Sequence, residues 1–178
     1  MLRASPEADK RQPHAALSRG KQDTVADQSL QERYAPGNSC FGCGQSNAQG
    51  LRIRSFEEGD TVVARWRAQK HHEAFPGVLN GGIVGALLDC HSNWAALVAL
   101  MRQSGQSTPP CTVTSDFHVT LRAPTPSDAE LELWAKAVEV KEDRAIVEAT
   151  LSANGKVCAR CRGTFVAVKP GHPAYYRW

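Results

Sequence analysis

The sequence predicts an α+β fold in which one long central helix is wrapped by a single curved antiparallel sheet. Three observations carry that reading. The run Asn80–Leu100 (NGGIVGALLDCHSNWAALVAL) is the most apolar stretch of the chain and too long for a typical strand. Alternating apolar and polar runs lie on both sides of it, joined by links as short as KED and SANG, which favour antiparallel neighbours. In the folded part no second helical segment of similar quality exists, so the sheet must cover the helix. With 178 residues, 42% hydrophobic and 22% charged, the chain suffices for one sizeable core.

Taken in order, residues 1–38 read as a mobile extension, polar over its first part. TVADQSLQERY is able to form a short helix that Pro36 ends. The N-terminus has no apolar h-region, so no secretory signal is expected and the chain is expected in the cytoplasm. Residues 39–170 form the expected domain and 171–178 a tail. LRIRSFE and TVVARWRA flank Gly59 and Asp60 and read as a hairpin. HHEAFPGVL reads as an irregular approach, because Pro76 and Gly77 oppose a regular element. The helix follows, N-capped by Asn80 and closed by Gly105 with Pro109 and Pro110. It is not expected to span a membrane: Asp89, His91, Ser92 and Asn93 interrupt it, and a span needs about 20 nearly uninterrupted apolar residues. Four strands are expected next, Cys111–Leu121, Glu130–Val140, Arg144–Leu151 and Lys156–Val168, joined as an antiparallel meander with Asn154-Gly155 as its strongest turn dipeptide.

A formal net charge of +3 with scattered Lys and Arg argues against a nucleic-acid partner. Anionic small ligands remain possible. On the helix, Gly82, Gly85, Ala86, Asp89, Ser92, Asn93 and Ala96 fall at three- and four-residue steps and form one small, polar stripe. Ile83, Leu87, Cys90, Trp94, Leu97 and Met101 occupy other faces and are expected in the core. Asp89 thus faces a groove. At the start of the same helix, Asn80-Gly81-Gly82 leaves backbone N–H groups at the positive end of the dipole, where an oxyanion fits. A carbonyl polarised there could be attacked by Asp89 or by a water that Asp89 deprotonates. The structural alternative for Asp89 is an acid paired with an Arg or capped by amides. Asn93, one turn beyond, could orient the acid or the substrate, whereas His91 lies off this face and reads as structural.

In CTVTSDFHVTLR the alternation separates Val113, Phe117, Val119 and Leu121 from Thr112, Thr114, Asp116, His118, Thr120 and Arg122. The polar set is either a solvated face or one that reaches a site. Six cysteines in a reducing compartment read as thiols first. CFGC and CARC suggest a zinc site, but Cys158 and Cys161 lie at odd spacing on a strand and point to opposite faces. Cys40 and Cys43 have knuckle-like spacing, yet two ligands do not make a structural site, and nothing in the spacing selects His71, His72 or Cys111 to complete one. Neither metal nor cofactor is expected.

FPGVLNGGIVGALLDCHSNWAALVAL, with TVTSDFHVTLRAPTP and GKVCARCRGTFVAV, resembles hotdog-fold acyl-CoA thioesterases of the phenylacetate-pathway (PaaI) type, in the 4-hydroxybenzoyl-CoA thioesterase superfamily. CFGCGQSNAQGL is similar to the entry of one branch. The resemblance covers roughly residues 40–168. It implies a hotdog fold, acyl-CoA hydrolysis without a cofactor, and a homodimer or homotetramer. It further implies catalytic roles for Asp89, Asn80, Gly81, Gly82 and Thr114, the last as a hydroxyl from a partner subunit's strand, and substrate binding by Asn93 and Gly85. Two positions depart from the family pattern: Asn80 replaces a histidine, and Ala74 stands where some relatives have an asparagine. A non-catalytic acyl-CoA binder and a hotdog hydratase or dehydratase are the rival readings.

Overall fold

The computed structural model describes residues 28–175. Its first element, α1 (Leu30–Tyr34), is fixed by a reciprocal cap: the Glu32 N–H donates to Ser29 Oγ at 3.3 Å, and the Ser29 N–H donates to the Glu32 carboxylate at 2.8 Å. Leu30, Gln31, Ala35 and Asn38 are buried. The folded body therefore begins before the expected boundary at residue 39, and the rest of the expected extension lies outside the described residues.

Strands β1 (Ser55–Glu58) and β2 (Thr61–Arg67) form the expected hairpin, with Gly59 at φ +62° in the turn. The first strand is shorter than expected because Arg52 takes φ +50°, while Leu51 and Ile53 turn inward as core residues. HHEAFPGVL is not irregular. Lys70–His72 makes a 3-10 turn, and β3 (Glu73–Phe75) pairs with β4 (Val78–Leu79) across Pro76-Gly77, where Gly77 has φ +81°. The two residues taken as breakers serve as the turn of a small hairpin.

Helix α2 (Gly81–Ser104) starts at Asn80, whose side chain accepts from the Gly82 N–H at 2.8 Å, and stops at Gly105 in the left-handed region (φ +66°). Strands β5 (Thr112–Leu121), β6 (Glu130–Val140), β7 (Arg144–Ala153) and β8 (Lys156–Ala167) follow, with Asn154 and Gly155 both at positive φ in the β7–β8 turn. The six-stranded sheet runs β1-β2-β6-β7-β8-β5, antiparallel throughout. The expected four-strand meander is thus a three-strand one. β5 pairs with β8 at the far edge, and the link 122–129 carries the chain back to β6.

The sheet curves around α2. Val84, Leu87, Leu88, Trp94, Leu97 and Val98 bury against Leu131, Leu133, Val147, Leu151 and Phe165. Each such side chain contributes about 2 kcal/mol on burial, so packing holds the helix in place. By length and composition α2 could cross a membrane, yet 72% of its most apolar window is buried inside the protein. It is the core of this fold. The polar stripe is only partly a groove: Ser92 and Ala96 are fully buried, whereas Gly82, Gly85, Ala86, Asp89 and Asn93 retain exposure.

Candidate active site

Asp89 sits midway along α2 and is partly exposed. Its carboxylate accepts a hydrogen bond from Thr114 Oγ1 at 2.8 Å. One turn on, Asn93 Oδ1 accepts from the hydroxyl of Thr112. Both threonines come from the same chain as the helix. The side chains enclose a cavity of about 80 Å³ lined by Asp89, Asn93, Thr114, Trp94, Cys90 and Cys40, among others. Larger hollows lie on the outer face of the sheet and beside the C-terminal end of α2. Neither contains the acid or the helix start, so they do not compete as sites for this chemistry.

A β-bulge explains how β5 aims both threonines at the helix. In the β5–β8 pairing, Thr114 stands opposite Phe165 and Asp116 opposite Thr164, so Ser115 is the extra residue. Gly163 accommodates it: a Cβ there would lie 3.1 Å from the Asp116 carbonyl oxygen. The bulge exchanges the parity of the strand. Thr112 and Thr114 precede it and bond to α2, whereas Phe117 and Val119 follow it and pack on the same core. A single alternation across β5 therefore misassigns Thr112, which is fully buried, and places Thr114 correctly only with respect to polarity.

At the helix start, Asn80, Gly81 and Gly82 are all exposed. The Gly82 N–H is taken by Asn80, so of the two expected oxyanion donors the Gly81 N–H is the available one. Leu121 closes on Gly81, its Cδ1 lying 3.3 Å from where a Cβ would stand, and over Gly85 nothing approaches within 4 Å. Ala74 is exposed on β3.

His91 belongs to another face. It is fully buried, with Nδ1 3.0 Å from Ser55 Oγ and Nε2 3.0 Å from the Val62 carbonyl oxygen, and burial pushes its pKa down to about 4. A neutral imidazole locked between two strands is a structural group. The cysteines hold what sequence reasoning missed. Cys158 and Cys161 are buried in β8, and burial raises the Cys161 thiol to about 11. Cys40 and Cys43, however, meet Cys90 of α2, a residue expected only as core packing. The doublet CFGC was the available signal; its partner on the helix was not, because long-range contact leaves no local pattern.

Neither the family models nor the curated proteins contain a match to this chain. Solved structures do match. A thioesterase superfamily protein from Shewanella loihica PV-4 is 29% identical, with 70% of this chain and 98% of that chain covered and a TM-score of 0.57. A phenylacetic acid degradation-related protein from Ralstonia eutropha JMP134 is 22% identical over 65% of this chain and 83% of that one (TM-score 0.53). Zebra fish thioesterase superfamily member 2 is 19% identical over 69% and 90% (TM-score 0.56). The fold is the hotdog fold of the thioesterase superfamily proteins, α+β with one long helix inside a curved antiparallel sheet, as the sequence resemblance implies.

Proposed function

From the hotdog fold it shares with thioesterase superfamily proteins, we propose that this chain hydrolyses an acyl-CoA thioester to a free acid and CoA, with Asp89 as the catalytic carboxylate. The observation that supports this reading most is the Thr114 hydroxyl held 2.8 Å from a partly exposed Asp89 that lines a cavity. As general base, Asp89 takes a proton from water while the oxygen attacks the thioester carbonyl. The tetrahedral oxyanion is stabilised by the N–H at a Gly81 helix start, then collapses with cleavage of the C–S bond, and the thiolate recovers a proton. As nucleophile, Asp89 would form an acyl anhydride that water then opens. Single turnover in labelled water tests the nucleophile route: heavy oxygen enters Asp89 only when water opens an anhydride at the Asp89 carbonyl carbon.

The site of one chain is incomplete for this reaction. Gly81 and Asp89 are eight positions apart, about 12 Å along a helix at about 1.5 Å per residue, too far for both to act on one carbonyl. The cavity of about 80 Å³ is also well below the roughly 300 Å³ of an ordinary ligand pocket. A second copy resolves both, its helix start meeting this Asp89. β5 is the sheet edge along which such a homodimer would extend, and Leu121 at its end is 57% exposed. A homotetramer would pair two such dimers, in the cytoplasm. Asn93 and Gly85 would line the substrate path, the first held by Thr112 and the second leaving open space.

Asp89→Asn tests the reading. Turnover across a panel of acyl-CoAs, read as released thiol, is expected to fall at least about a hundredfold with unchanged thermal stability. Unchanged hydrolysis would remove Asp89 from the mechanism. The second reading, a non-catalytic acyl-CoA binder, is favoured by Asn80, an amide that does not titrate and already occupies the Gly82 N–H. Thermal stabilisation by CoA esters with no thiol released would establish it.

A further inference from the structure

The loop that precedes β1 closes on α2 through three sulfurs. Cys40 and Cys43 come from the loop and Cys90 from the helix, and their Sγ atoms all lie within 4.8 Å of one another. The Cys40–Cys90 pair is 3.8 Å apart, far beyond the roughly 2.0 Å of a disulfide. It matches the ligand separation around a tetrahedral zinc ion, about 3.8 Å for Zn–S bonds of about 2.3 Å. The third sulfur needs at most a small inward movement.

The loop is built to hold this triangle. Asn38 is buried, its Oδ1 accepts from the Cys40 N–H at 2.8 Å, and its amide nitrogen lies 3.8 Å from Cys43 Sγ. The Gly44 N–H donates to the Cys40 carbonyl at 2.9 Å. Gly44 is obligatory, since a Cβ there would sit 2.4 Å from the Cys40 nitrogen, and Gly42 lets the loop reach the helix, since a Cβ there would sit 2.3 Å from Cys90 Sγ. Thiols packed merely as small apolar groups do not recruit amide donors.

We propose that Cys40, Cys43 and Cys90 form a three-thiolate site for a soft, zinc-class cation, with its fourth position open toward the cavity that also contains Asp89 and Thr114. All five side chains line that cavity. Three protein ligands with an open position is the pattern of zinc sites that exchange a ligand, in contrast to closed four-ligand structural sites.

Full-length protein stripped of metal under reducing, anaerobic conditions is titrated with Co²⁺ and then Zn²⁺. A thiolate-to-cobalt charge-transfer band that saturates at a single ion per chain and is bleached by zinc is expected. Cys40→Ser, Cys43→Ser and Cys90→Ser should each weaken binding at least about tenfold, and Cys111→Ser should not. Absence of the band in the unaltered chain, which needs no variant to fold, overturns the site; so does a band that survives all three substitutions. Since the readout is absorbance, failure of the site leaves the hydrolase reading untouched, and a dead Asp89→Asn that still binds cobalt leaves the site untouched.

Discussion

The Thr114 hydroxyl donates to the Asp89 carboxylate at 2.8 Å. The hydroxyl fixes the carboxylate, so Thr114→Val is expected to lower kcat about tenfold, since a bond to a charged group is worth about 1.5–3 kcal/mol when sheltered and less at this partly exposed position. KM and melting temperature should change little. A rise in KM at constant kcat would instead make Thr114 a substrate contact. Asp89 is legible in the sequence because a carboxylate at the centre of an apolar run on a stripe of small residues is anomalous. Thr112 and Cys90 are not legible. The first is hidden by a bulge that reverses strand parity, the second by a contact 50 positions away in sequence.

Among the elements, α2 was readable at both ends because its caps are local chemistry: Asn80 accepts from the Gly82 N–H, and Gly105 takes the positive φ that stops the helix. Strand order was not, since β5 pairs with β8 across intervening elements and no local signal distinguishes that from pairing with β6. The β3–β4 hairpin was lost for a different reason. Its turn residues, Pro76 and Gly77, are also the usual breakers. The cap itself allows stability and activity to be separated. Asn80→Ala removes an acceptor worth about 1 kcal/mol, and in a chain of this size the melting temperature should fall by about 2–4 °C. Asn80→Asp keeps an acceptor and should hold the melting temperature, but it sets a negative charge beside the proposed oxyanion and should depress turnover more than Asn80→Ala does. Equal turnover in the two variants would place the oxyanion elsewhere.

At the scale of the molecule, one buried polar chain ties three separated parts of the sequence together. Gln31 of α1 donates to Ser55 Oγ at 3.0 Å, Ser55 Oγ meets His91 Nδ1 of α2 at 3.0 Å, and His91 Nε2 reaches the Val62 carbonyl oxygen of β2 at 3.0 Å. Protonation of His91 would place a cation in a fully buried site, which is why burial holds its pKa at about 4. In the unfolded chain the same group titrates near about 6.5. The folded value is the lower one, so the unfolded state takes up the proton first as pH falls. Stability from the neutral form is complete above about pH 6.5 and is lost progressively toward pH 4, by up to about 3 kcal/mol. His72, also lowered chiefly by burial, acts in the same direction. The paired carboxylates Glu32, Asp60, Glu73, Glu139 and Asp143 have lowered values and release their contributions only below roughly pH 4.5. Between pH 6.5 and 4.5 the decline therefore belongs to the histidines. Urea midpoints measured across that window should fall for the unaltered chain, while His91→Gln, less stable at pH 7, should give a distinctly flatter profile. An equally steep decline in the variant would assign the pH response to groups other than this link between helix and sheet.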